Sequence, residues 1–274
     1  MRKNYSVLQI AIGLIFLVLM IAGFVGCAGM LSEINIFSDK EEIQLGERFS
    51  KEIEKELKLY QDPVIAAYIV NLGQLLAKHS KRRGITYYFK VVDTDVVNAF
   101  ALPGGYLYVN LGLIRAAENE SELAGVIGHE IGHIVGKHGA EQLTKQIGFA
   151  TVVQLVLGQD PDQTEQVIAD IIATGALMKY SRDAENEADG HAVQEMYDAG
   201  LNPEGMATFF EKLRKLQKTQ PTQLEQIFST HPPTDERIAN VRSQIARLRN
   251  KSGLRKDSRR FHDIKKRLPP ARKK

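Results

Sequence analysis

Tryptophan is absent from the 274 residues, and cysteine occurs once. The first absence excludes a ligand stacked on an indole. The second excludes an intrachain disulfide framework and any cysteine-based metal knuckle. Aromatic residues are scarce, at 7%, and no internal repeat is visible along the chain. Beyond its first 26 residues the sequence has no apolar run long enough to span a bilayer, which argues against a polytopic membrane protein. What remains is ample for a core: 43% of the residues are hydrophobic and 25% charged, a balance that does not suit a disordered chain. This length allows one large domain or two small ones.

The net charge of +3 conceals an asymmetry. Residues 247–274 carry thirteen Lys or Arg against Asp257 and Asp263, a local charge of +11, which leaves −8 on residues 1–246. The body is acidic, and the basic character belongs to a C-terminal tail over residues 250–274. Such a run reads as a solvated surface segment with the capacity to touch anionic lipid. It has no aromatic interleaving and no nucleic-acid motif, so specific nucleic-acid binding is not expected.

At the other end, Arg2 and Lys3 precede an apolar stretch, Val7–Gly26, in which Gln9 is the only strongly polar residue. About 20 residues is near the minimum for a membrane span and long for a cleaved leader. The stretch closes on Phe24-Val25-Gly26-Cys27-Ala28, which resembles the bacterial lipobox, with Phe24 where leucine is usual. Two readings follow: a signal peptide over residues 1–26 with Cys27 lipidated, or an uncleaved N-terminal anchor. Under both, the positive-inside rule keeps Arg2 and Lys3 in the cytoplasm and sends the rest across. The expected location is the bacterial cell envelope, tethered to membrane and facing the periplasm. Ala28 after the cysteine permits the outer membrane.

Residues 27–40 read as a tether and residues 41–249 as the folded domain. Helical spacing of apolar residues predicts helices over Glu41–Leu59 and Pro63–Lys81, the second opened by a proline suited to a first helical position. Ile85–Val92 reads as a strand, and Asn98–Asn110 as a hairpin turning at Pro103-Gly104-Gly105. Asn119 and Glu122 form an N-cap pair opening a helix to about Lys137. Further helices are predicted over Gln142–Leu157, Thr164–Met178, Asp183–Asp198, Glu204–Lys218 and Thr234–Leu248. The break at Gly158–Gln163 suggests that residues 148–170 form a lid. The fold class is α+β, mostly helical, with a small β-sheet.

His129-Glu130-Ile131-Gly132-His133 is an H-E-x-x-H pattern inside the helix opened by Asn119. Residues four apart stand about 40° apart around a helix, so both imidazoles face one site. Two neutral imidazoles suit Zn²⁺, one per chain, and Glu130 is placed to take a proton from an attacking water. The helix is apolar on its other faces, through Val126, Ile127, Ile131, Ile134 and Val135, and two buried histidines need a partner. A catalytic zinc wants a third ligand. The metzincin pattern would supply a histidine at 139, where this chain has Gly139. His138 stands one residue early, about 100° away on a continuing helix. Glu185 and Asp189, four apart on a later helix, can divide the work, one carboxylate on the metal and the other orienting a ligand histidine.

Four motifs now stand in order: Asn98–Asn110, the H-E-x-x-H helix with His138-Gly139-Ala140-Glu141, the Ser181–Asp189 segment, and Thr230-His231-Pro232-Pro233. Together they resemble the zinc metallopeptidase family of HtpX, CAAX prenyl protease type 1, the OMA peptidases and the periplasmic BepA/LoiP-like lipoprotein proteases. The resemblance runs from about Glu41 to Ala246. It implies an H-E-x-x-H zincin domain, gluzincin-like, with the sheet beside the active-site helix. It further implies zinc on His129, His133 and Glu185, with Glu130 as general base and then acid. Asp189 would hold a ligand histidine, and Arg182 would brace the carboxylates. His231 would stabilise the oxyanion or occlude the metal until substrate arrives. The strand Asn98, Ala99, Phe100 and Ala101 would pair with an extended substrate. No motif residue departs from the pattern; the departures are at the ends, where a basic tail replaces the helical repeats of the BepA type.

The function that follows is an exported, membrane-tethered zinc endopeptidase acting on misfolded or unassembled envelope proteins. The alternative is a largely chaperone-like assembly factor for outer-membrane proteins, latched by His231. Complete ligands plus a general base favour the enzyme. An aminopeptidase would need a carboxylate site for the substrate's N-terminus, and the 52-residue interval between His133 and Glu185 does not suit the short-spaced arrangement. CAAX-protease chemistry needs several membrane spans.

Overall fold

The computed structural model describes residues 37–157, 161–174, 179–217 and 221–272. The leader, the lipobox and Cys27 lie outside the described residues. Among those described, no helix is long and apolar enough to cross a membrane.

Helix α1 (Asp39–Glu56) starts at a capping box in which the Ser38 hydroxyl accepts from Glu41 N–H while Glu41 reaches back to Ser38. Helix α2 (Pro63–Ala77) begins where Asp62 caps the amides of Val64 and Ile65. Three strands follow: β1 (Tyr88–Val92), β2 (Ala99–Leu102) and β3 (Tyr106–Asn110). They form one sheet in the order β1-β3-β2. β3 pairs parallel with β1, Tyr106 against Tyr88, and antiparallel with β2, Val109 against Ala99. The expected hairpin is thus present, and β2 is an edge strand. Its turn needs Gly104 and Gly105, whose φ angles of 74° and 103° other residues rarely adopt.

After a short α3 (Leu111–Ala116) comes α4 (Glu120–Val135), buried at every residue from Glu120 to Ile134. The Asn119 side chain caps it by accepting from Glu122 N–H. A helix buried all round must be covered on all sides. Here α2 and β2 cover two faces, and α7 (Arg182–Asp198) and α8 (Glu204–Gln217) the others. Helices α5 (His138–Leu157) and α6 (Pro161–Thr174) hold most of the segment read as a lid, and α6 packs on α1. Helices α9 (Pro221–Thr230) and α10 (Asp235–Arg247) close the sequence's helical core.

The C-terminal segment does not behave as a solvated tail. Arg255 bridges to Leu201, and Lys256 C=O accepts from Ser121 N–H. Helix α11 (Arg259–Arg267) then lies against α2, with Phe261 and Ile264 fully buried. The density of charge hides an apolar stripe at Phe261, Ile264 and Leu268, and that stripe docks the helix.

Candidate metal centre

The site depends on how closely α4 and α7 approach. A Cβ on Gly132 would lie 2.6 Å from Ala188 O, and one on Gly128 would lie 3.3 Å from the Ala192 Cβ. Small residues on both helices remove that bulk, so α7 brings Glu185 and Asp189 against the histidine face of α4. His129, His133 and Glu185 are all buried, and His231 joins them from the residue after α9.

The Nε2 atoms of His129 and His133 are 3.0 Å apart, and His231 Nδ1 is 3.2 Å from His129 Nε2. Glu185 stands 3.3 Å from His133 Nε2, 3.4 Å from His129 Nε2 and 2.9 Å from His231 Nδ1. Four ligand atoms around a tetrahedral zinc, each about 2.0–2.1 Å from it, stand about 3.3 Å from one another. The donors therefore already have the spacing of such a cage. Their protons agree with it. His129 gives its Nδ1–H to Asp189 at 2.8 Å, which leaves a lone pair on Nε2 facing the other donors. Burial alone would lower the His129 pKa, but Glu185 and Asp189 raise it to about 9. The cluster favours positive charge, which a divalent cation among the donors would supply.

Asp189 thus holds the ring of His129, the contact through which it would orient a ligand histidine. Arg182 does not brace the carboxylates: it is exposed at the first residue of α7. Side chains on a helix tilt toward its N-terminus, so an arginine there points off the end, away from Glu185 one turn further on. The brace is Arg237 of α10, a residue the sequence reading missed. It gives Asp189 two hydrogen bonds of 2.8 and 2.6 Å and lies 2.6 Å from Glu185 Oε2, with its guanidinium over the Phe210 ring at 4.7 Å.

Glu130 is buried beside the cluster, and burial pushes its carboxyl up despite the nearby histidines. It interacts with the Ala101 backbone amide, which places the general-base candidate against the edge strand. His231 Nε2 is 3.5 Å from Glu130 Oε1. Ala99 and Ala101 are buried, and Phe100 stacks on Tyr108 at 4.9 Å between centroids. Asn98 lies just before the strand, buried, with both side-chain polar atoms unpartnered among the described residues. Its carbonyl accepts from Asn110 N–H. Tyr180, also missed, stacks on His133 at 3.9 Å between centroids.

Comparison with known sequences agrees with this geometry. Residues 64–245 match the profile described as "Peptidase family M48". The chain is 28% identical over 218 residues to the beta-barrel assembly-enhancing protease of Escherichia coli strain K12, covering 76% of this chain and 45% of that protein. It is 38% identical over 165 residues to the mitochondrial metalloendopeptidase OMA1 of Arabidopsis thaliana, covering 59% and 32% respectively. To the metalloprotease YcaL of E. coli strain K12 it is 29% identical over 190 residues, covering 66% and 73%. The chain therefore spans less than half the length of the first two relatives.

Proposed function

The chain belongs to peptidase family M48, and from that premise we propose that it is a metalloendopeptidase working with one zinc ion at the membrane of the bacterial envelope. The observation that carries the metal reading is the buried cage of His129, His133 and Glu185 with Glu130 beside it. These three residues would hold the metal. Zinc there supplies Lewis acidity toward a peptide carbonyl and toward water.

The rest of the chemistry belongs to the chain. Glu130 accepts the proton of the attacking water and returns it to the leaving amine. Asp189, held by Arg237, fixes the tautomer of His129. The outer edge of β2, apart from the Ala101 amide that meets Glu130, offers backbone groups to an extended segment, so an unfolded or misassembled protein is a better substrate than a folded one.

His231 defines the resting state. With Nδ1 among the donors and Nε2 toward Glu130, its ring stands between the donors and the general base, where an attacking water would have to lie. Substrate entry then requires it to swing out, which makes His231 a latch. Casein cleavage by wild type and His231→Ala, both loaded with zinc, separates the two roles. A rise in the variant, on the order of tenfold, is the expected outcome; loss of cleavage would make His231 the oxyanion stabiliser instead.

Quality control of envelope proteins is the proposed setting. The N-terminal sequence supports tethering, through a lipidated Cys27 or an uncleaved anchor, at the outer membrane by the residue after the cysteine. A relative named as a beta-barrel assembly-enhancing protease supports envelope substrates. Exposed Lys256, Arg259, Arg260 and Lys266 offer a face for anionic lipid headgroups.

A further inference from the structure

His138 opens α5 and is buried, with 4% of its surface exposed. The chain reaches it through Gly136 and through Lys137, which takes a φ of 57°. That left-handed residue ends α4 and folds His138 back onto it. The His138 ring meets His133, not the donor cage: the two Nδ1 atoms are 2.8 Å apart. Its Nε2 lies 3.5 Å from Glu187 Oε2. A Cβ on Gly136 would lie 2.3 Å from that Nε2, so glycine at 136 makes room for the ring.

The protons on this chain of atoms can be ordered in only one way that serves a metal. His133 Nε2 faces the donors, 3.0 Å from His129 Nε2 and 3.3 Å from Glu185 Oε1, and must offer a lone pair there. A neutral imidazole has one N–H, so His133 carries its proton on Nδ1 and donates it to His138 Nδ1. His138 then accepts on Nδ1 and carries its own proton on Nε2, aimed at Glu187. The opposite order would place the His133 proton on Nε2, inside the cage. His129 receives the same service from Asp189.

We propose that His138 is a positioning residue that fixes the tautomer of His133, with Gly136 as the space that admits its ring. Glu187, with a half-exposed side chain, terminates the relay at a longer distance and contributes little.

This inference rests on the zinc reading above, and the test separates the two. Zinc dissociation constants of the full chain are measured by chelator competition for wild type, His138→Phe, His138→Gln and Gly136→Ala, with thermal unfolding in parallel. His138→Phe keeps a ring but accepts nothing, and should weaken zinc binding by about 10–100-fold. Gln keeps an acceptor oxygen and should stay within about threefold of wild type, on the view that a hydrogen-bond acceptor is what the relay needs. Gly136→Ala keeps the histidine but displaces its ring, and should weaken binding as Phe does. A Phe variant that binds as tightly as wild type overturns the proposal, as does a Gln variant as weak as Phe. Should the Phe variant not fold, Gln and Gly136→Ala decide: the proposal stands only if the first binds tightly and the second weakly. Wild type that binds no zinc overturns the metal reading itself, whereas tight wild-type binding with unchanged variants overturns the relay alone.

Discussion

Glu195 lies on α7 with 2% exposure, and neither oxygen of its carboxyl has a hydrogen-bond partner among the described residues. Burial, with Asp198 adding to it, pushes this carboxyl up from 4.5 to about 9. Between those values the unfolded chain gives up the proton while the folded chain keeps it. Stability therefore falls as pH rises, by up to about 1.4 kcal/mol for each pH unit. Glu195→Gln should match wild type in unfolding free energy near pH 4 and exceed it increasingly toward pH 9. Denaturation curves across that range check this, and a constant offset would contradict it. The site residues themselves differed in how far they could be read from the sequence. His129, Glu130 and His133 declare themselves within one helical turn, and Glu185 and Asp189 by their spacing and company. Arg237 does not, because an arginine in an amphipathic helix reads as solvated until α10 is seen to lay it on two buried carboxylates.

At the scale of elements, α1 fixes the strand proposed to receive substrate. Glu42, with its carboxylate fully buried, accepts from Gly104 N–H at 3.1 Å and from both terminal nitrogens of Arg82 at 2.9 and 2.8 Å. Arg82 also donates to Ile134 C=O near the end of α4, at 2.8 Å. The turn that carries β2 is thus tied through α1 to the helix that carries His129 and His133. Contact between α1 and this turn is close: a Cβ on Gly46 would lie 2.0 Å from Pro103 O. Gly46→Ala should push the turn and β2 aside, raising KM for casein severalfold while leaving metal content unchanged. Steady-state kinetics beside a metal assay check this; an unaltered KM would contradict it. Most helices were legible from apolar spacing and capping residues. The short helices α3, α9 and α11, of 6, 10 and 9 residues, were not, and neither was the reason for α1's position. That position rests on contacts between residues 42, 82, 104 and 134, which no local pattern encodes.

Across the whole molecule, charge count misled where packing decides. The basic C-terminal segment closes the fold against α2, with Arg255 on Glu120 and Arg267 on Asp62 at 2.7 Å each. Phe261, fully buried, anchors it. Phe261→Ala should cost about 3–5 kcal/mol of unfolding free energy, with zinc content per folded molecule unchanged. Chemical denaturation measures the first and metal analysis the second; a loss below about 1 kcal/mol would mean that α11 docks only loosely. The broader picture is a small sheet and a helical body that bury three histidines and two carboxylates in one place, with a third carboxylate, Glu130, between them and the edge strand. The proposed chemistry gives proton transfer to Glu130 and metal binding to His129, His133 and Glu185. The most direct test is zinc content and casein cleavage for wild type and Glu130→Gln, purified side by side. Equal zinc is expected in both, with cleavage reduced at least about a thousandfold in the variant. Measurable hydrolysis by the zinc-loaded Glu130→Gln protein would contradict that chemistry.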